Sequence, residues 1–230
     1  MKTLPTAAIS LVVSLFFAHA LNADALKPID PADYKGEVKV ACVGDSITQG
    51  AGAEKGKSYP SQLQRMLGDG WKVFNFGKSG RTLMKKGDHP YWKEKVYQQA
   101  LGSKPDVVII MLGTNDSKPQ NWVYKAEFEA DYRELVDSFQ KLESKPRIYI
   151  CRPCPVFGKN YKISEAPVQE EIVIIDKLAA EMNIGLIDMH AALEDFPKLL
   201  PDGVHPNTEG AGKMAAAAFT ALTGKEAKAE

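Results

Sequence analysis

Five short runs rich in branched and aromatic residues alternate along the chain with longer segments whose apolar positions recur three and four apart. The runs are Val38 to Val43, Trp71 to Phe76, Val107 to Leu112, Arg147 to Cys151 and Ile184 to Ile187, each bounded by Gly, Pro or polar residues. They read as strands buried on both faces. The segments between and after them, Tyr59 to Leu67, Tyr91 to Leu101, Phe128 to Leu142, Val168 to Met182 and Ala211 to Leu222, carry the period of amphipathic helices. Strand and helix in alternation favour parallel strands joined by crossover helices, so the expected fold is a three-layer α/β/α sandwich with a five-stranded parallel sheet. At 230 residues, 44% of them apolar, the chain has material for one good-sized core.

The two ends read differently. Lys2, the apolar stretch Ala7 to Ala18 and the small-x-small tripeptides Ala18-His19-Ala20 and Ala23-Asp24-Ala25 have the form of an export signal with its cleavage site. Residues 1–23 are therefore expected to be removed on export to the periplasm or outside the cell, residues 24–224 to form a single domain, and residues 225–230 to be a charged tail. A membrane anchor requires roughly 20 apolar residues, more than this stretch supplies, so no stable span is expected in the mature form. Formal net charge is zero, with no long run of Lys or Arg, which argues against a nucleic acid or anionic membrane partner and favours an uncharged substrate.

Chemistry-bearing residues concentrate in four blocks: Gly44-Asp45-Ser46-Ile47-Thr48, Ser79-Gly80, Gly113-Thr114-Asn115-Asp116 and Asp202-Gly203-Val204-His205-Pro206. The first three follow predicted strands, at the sheet edge where open parallel sheets bind ligands. Ser46 supplies a hydroxyl nucleophile, His205 a base to take its proton, and Asp202 an acceptor to orient that base, within reach because it stands three residues before it. The backbone N–H groups of Ser46 and Gly80 and the side-chain amide of Asn115 can receive the negative charge of a tetrahedral acyl intermediate. Asp116 reads as a turn residue of the structure. Asp45, Arg81 and Trp122, in or near these blocks, are expected to contact substrate. Such chemistry calls for no metal and no cofactor.

These blocks closely resemble those of the SGNH hydrolase superfamily, the GDSL esterases and lipases, over nearly the whole mature chain from Val38 to about Leu222. The resemblance implies a flavodoxin-like fold, Ser46 as nucleophile, Ser46, Gly80 and Asn115 as the oxyanion hole, and Asp202 with His205 completing a catalytic triad. Gly-Asp-Ser-Ile-Thr replaces the literal Gly-Asp-Ser-Leu without touching the chemistry. The overall pattern looks most like bacterial carbohydrate or sialate O-acetylesterases, which implies hydrolysis of O-acetyl groups on a carbohydrate through an acyl-enzyme. The alternatives are a short-chain lipid esterase, lysophospholipase or thioesterase, and, in another class, an inactive sugar-binding module on the same fold.

Other features have a structural reading beside the functional one. His190 with Asp188 is a rival acid–base pair at the end of the last strand, read as structural. Tyr91, Trp92, Trp122, Phe157 and Tyr161 lie in or beside the loops that should rim the site and are divided between sugar stacking and core packing. Cys42 reads as a small buried hydrophobe, whereas Cys151 and Cys154 are spaced for a short-loop disulfide or remain two unpaired thiols. The stretch Gly52 to Ser58 imitates a phosphate-binding loop but has three residues between its glycines where four are needed.

Overall fold

The computed structural model describes residues 27–227. The expected export signal and the last residues of the charged tail lie outside that range. Five strands, β1 (Val38–Gly44), β2 (Trp71–Gly77), β3 (Val107–Met111), β4 (Arg147–Arg152) and β5 (Gly185–Asp188), form one sheet in the order β2-β1-β3-β4-β5, every neighbouring pair parallel. In this order the direction of winding reverses between β1 and β3, and the carboxyl ends of those two strands flank the crevice where such sheets bind ligands.

Side chains alternate across the strands and so build two cores. Val38, Val40 and Cys42 of β1, with Val107, Ile109 and Met111 of β3, face one side, where α2 (Tyr59–Leu67) and α7 (Thr208–Thr223) cover them. Ala41 and Val43, with Val108 and Ile110, face the other side, beneath α3 (Lys95–Gly102), α5 (Phe128–Gln140) and α6 (Glu165–Met182). Two single-turn helices, α1 (Ser46–Gln49) and α4 (Pro119–Trp122), follow β1 and β3 at the functional edge. The three-layer α/β/α architecture expected from the sequence is the one observed. No helix among the described residues is long and apolar enough to cross a membrane.

Element ends depart from the sequence pattern for local reasons. The stretch Tyr91 to Leu101 is not one helix: a 3-10 turn over Tyr91–Lys93 is separated from α3 by extended Glu94. The two aromatics of the 3-10 turn are drawn to distant carbonyls, Tyr91 Oη donating to Phe76 O at 2.6 Å and Trp92 Nε1 to Leu83 O at 2.7 Å. Helix α6 begins at Glu165, ahead of Pro167, because a proline in the first turn forfeits no helical hydrogen bond. Helix α7 begins where Asn207 Oδ1 accepts the Gly210 N–H at 2.9 Å. The thiols of Cys42, Cys151 and Cys154 are all free and buried, and Cys154 Sγ approaches Met214 Sδ at 3.7 Å.

Candidate active site

Ser46 opens α1 directly after β1, so the strand sets its position and the helix turn its direction. Asp45 caps that turn, its Oδ1 accepting the Ile47 N–H at 2.9 Å. From the far end of the sequence, the loop before α7 brings His205 Nε2 to 2.9 Å from Ser46 Oγ. Asp202 divides its carboxylate between two tasks. Oδ1 accepts the backbone N–H groups of Val204 at 2.9 Å and His205 at 2.7 Å, folding the loop back on itself, while Oδ2 lies 2.7 Å from His205 Nδ1. A carboxylate only accepts, so Nδ1 carries the proton facing it and Nε2 is left to accept the serine hydroxyl. Burial opposes ionisation of Asp202, but the hydrogen bonds from the His205 backbone and ring and from Val204 outweigh it and hold the carboxyl at about 2.

Beside Ser46, the Ser79–Gly80 peptide is held from one side. Ser79 N and Oγ both donate to Gln49 Oε1 at 2.7 Å, and Ser79 O accepts from Arg81 Nη1 at 2.7 Å. In a trans peptide the C=O and N–H point in opposite directions, so this grip turns the Gly80 N–H away from the guanidinium. Gly80 has φ +78°, a left-handed conformation that glycine adopts without a Cβ penalty. Among the described residues, the N–H groups of Ser46 and Gly80 make no hydrogen bond. Asn115 is committed differently: its Nδ2 donates to Asp45 Oδ2 and to Arg81 O, both at 3.2 Å. Its amide therefore meets any substrate oxygen only by sharing hydrogens already in use.

Each of the expected substrate contacts is engaged by partners within the protein. Asp45 is fully buried, and burial pushes its carboxyl up to about 6 despite the N–H it accepts from Ile47. Arg81 engages Glu94 Oε1 through Nε at 2.8 Å and Nη2 at 2.6 Å, with Nη1 on Ser79 O. Trp122, 9% exposed, packs edge-on against Phe128 and donates to Glu170 at 3.3 Å. All three hold polar partners within the protein, and Arg81, with three of its five N–H donors in these bonds, keeps two for a further contact. Asp116 does support structure: its two oxygens accept the N–H groups of Leu83 at 2.8 Å and Met84 at 2.7 Å, tying the segment after Gly80 to the one after β3. Burial raises its carboxyl to about 7.

His190 is held by Glu165 at 2.7 Å and Glu194 at 3.3 Å, and Asp188 pairs with Arg152, so that pair has no part in the Ser46 constellation. Tyr91 is buried, Trp92 donates to Leu83 O and Phe157 packs on the first core. Tyr161 is 57% exposed and lies against His205, with ring centroids 5.3 Å apart. Sequence reasoning overlooked Gln49 and Glu94. Gln49, within the helix that Ser46 opens, carried a positional signal, and Glu94 carried none.

The chain is 41% identical over 206 residues to an acetylxylan esterase of Xylanibacter ruminicola, a match covering 80% of the chain and 43% of that protein. It thus spans less than half the length of that relative. An acetylxylan esterase of Geobacillus stearothermophilus is 29% identical over 203 residues, covering 75% of the chain and 88% of the relative. The solved structure of a catalytic mutant of Axe2, an acetylxylan esterase of Geobacillus stearothermophilus, superimposes with a TM-score of 0.65 at 26% identity, covering 85% of this chain and 99% of that one. Residues 42–213, which contain all four blocks, match the GDSL-like lipase/acylhydrolase family, and the chain belongs to that family.

Proposed function

We propose that this carboxylic ester hydrolase removes O-acetyl groups from a carbohydrate by way of an acyl-enzyme. The observation that carries the reading is the unbroken relay from Ser46 Oγ to His205 Nε2 at 2.9 Å and from His205 Nδ1 to Asp202 Oδ2 at 2.7 Å. The acetylxylan esterases among its relatives support the acetyl and sugar parts of the proposal. In this mechanism His205 Nε2 takes the hydroxyl proton as Ser46 Oγ attacks the acyl carbon. The carbonyl oxygen becomes an oxyanion received by the Ser46 and Gly80 N–H groups, with Asn115 contributing as its amide is shared. Collapse of the intermediate breaks the bond to the alcohol, which leaves with the proton from His205. Water then enters, gives a proton to His205 and releases acetate, and the proton returns to Ser46. Export of the mature protein, the expectation attached to residues 1–23, is part of the same proposal and fits a polymeric substrate outside the cell.

The test compares wild type with Ser46→Ala for release of acetate from acetylated sugars and of p-nitrophenol from esters of increasing chain length. Ser46-dependent turnover that is fastest on acetyl esters is the expected result. A preference for longer chains would redirect the proposal to lipid or thioester substrates, and no Ser46-dependent turnover would leave a binding module.

A further inference from the structure

In the proposed reaction His205 must hand its proton to the alcohol oxygen of the ester, so the alcohol portion lies on the His205 side of Ser46. The segment between β4 and α6 presents Tyr161 there. Tyr161 Oη donates to Asp202 Oδ2 at 3.1 Å, the same oxygen that faces His205 Nδ1, and the phenol and imidazole rings meet at 73°. The contact is built into the backbone. Phe157 N donates to Gly203 O at 2.8 Å, and Asn160 Nδ2 donates to Asp202 O. Gly203 stands at φ +78°, and a Cβ there would fall 1.8 Å from Phe157 O, so the glycine of the Asp-Gly-Val-His block is what lets this segment close on the loop. Tyr161 and Lys162 both occupy the left-handed region, at φ 56° and 61°, a conformation that non-glycine residues hold only when their surroundings impose it.

We infer that Tyr161 is a positioning residue for the Asp202–His205 pair and that the exposed part of its ring is the wall against which the sugar of the leaving alcohol stacks. The first half follows from the shared Oδ2: a second donor fixes the carboxylate and hence the imidazole that leans on it. The second follows from location, since an exposed aromatic surface beside the proton-donating residue is where a pyranose carrying the ester oxygen would rest. The inference deepens the esterase reading and rests on it for the stacking half only.

Tyr161→Phe separates the two parts by removing the hydroxyl and keeping the ring. We expect kcat to fall about tenfold on every acetyl ester with KM little changed, the loss of one hydrogen bond to a charged group. We also expect the downfield Nδ1 proton resonance of His205 to shift. Tyr161→Ala should in addition raise KM about fivefold on acetylated xylo-oligosaccharides and leave KM on methyl acetate unchanged, the size of one aromatic contact. An unmoved Nδ1 resonance and unchanged kcat in Tyr161→Phe would overturn the positioning role, and equal KM changes on both substrates in Tyr161→Ala would overturn the stacking role. Absence of Ser46-dependent turnover in wild type would instead defeat the esterase reading. The resonance, read without substrate, judges the positioning role in either case.

Discussion

Arg81 spends each of its three guanidinium nitrogens on the protein, two on Glu94 and one on the Ser79 carbonyl. Its position after Gly80 suggests a substrate contact, and its bond to Ser79 O also braces the peptide that carries one free N–H. Arg81→Met frees that peptide to rotate, and we expect kcat on acetyl esters to drop about tenfold with KM nearly constant, the mark of an interaction expressed in the transition state. Asn115→Ala should cost more, on the order of 100-fold in kcat, if Asn115 serves as the oxyanion donor proposed for it. It also strips Asp45 Oδ2 and Arg81 O of their shared partner. Steady-state kinetics of the two variants decide both points, and an unaffected Asn115→Ala would remove Asn115 from the mechanism. The triad spacing was readable because Asp202 and His205 are three residues apart and meet within one turn. The orientation of Asp45 was not, because its partner Asn115 lies 70 positions away.

Between elements, the functional edge is held together by carboxylates that bridge loops. Asp116, just past β3, accepts two N–H groups from the segment that follows Gly80, so the second and third blocks are tied to one another. Above about pH 7, where Asp116 is ionised and offers two acceptors, asparagine offers one acceptor and one donor, so Asp116→Asn leaves one buried N–H facing an amide N–H. We expect a loss of about 1–3 kcal/mol in unfolding free energy by urea titration, and a wild-type midpoint in the variant would contradict this bridge. Strand and helix identity at this scale came through in the sequence because periodicity is local. The break at Glu94 did not, because the carbonyls that draw Tyr91 and Trp92 out of a helix are 15 and 9 residues away. The left-handed backbone at Tyr161 was equally hidden, being imposed by docking onto Asp202 rather than preferred by its own residues.

Across the whole molecule, buried carboxyls set the pH dependence of stability. Burial raises Asp45 to about 6 and Asp116 to about 7, from 3.8. It raises Glu171 of α6 well above 4.5, and neither Glu171 oxygen has a hydrogen-bond partner among the described residues. A group with a raised folded-state value takes up a proton on folding, so its contribution is greatest below the unfolded value and is lost as pH rises through the window between the two. Asp202, lowered to about 2 from 3.8, acts oppositely, and its contribution is lost only as pH falls through that acid range. Urea midpoints should therefore decline from pH 5 to pH 7.5. Glu171→Gln, which keeps the neutral shape, should decline less steeply, and parallel slopes for the two proteins would refute the role given to Glu171. The alternation of strand and helix, the layer order and the identity of the four blocks were determined by the sequence itself, because each depends on neighbours within a few residues. Which polar groups of the blocks are paired within the protein and which are left free was decided only by the tertiary structure. A polar atom's role depends on whether a partner from a distant segment has already claimed it, and that is a property of the packed chain.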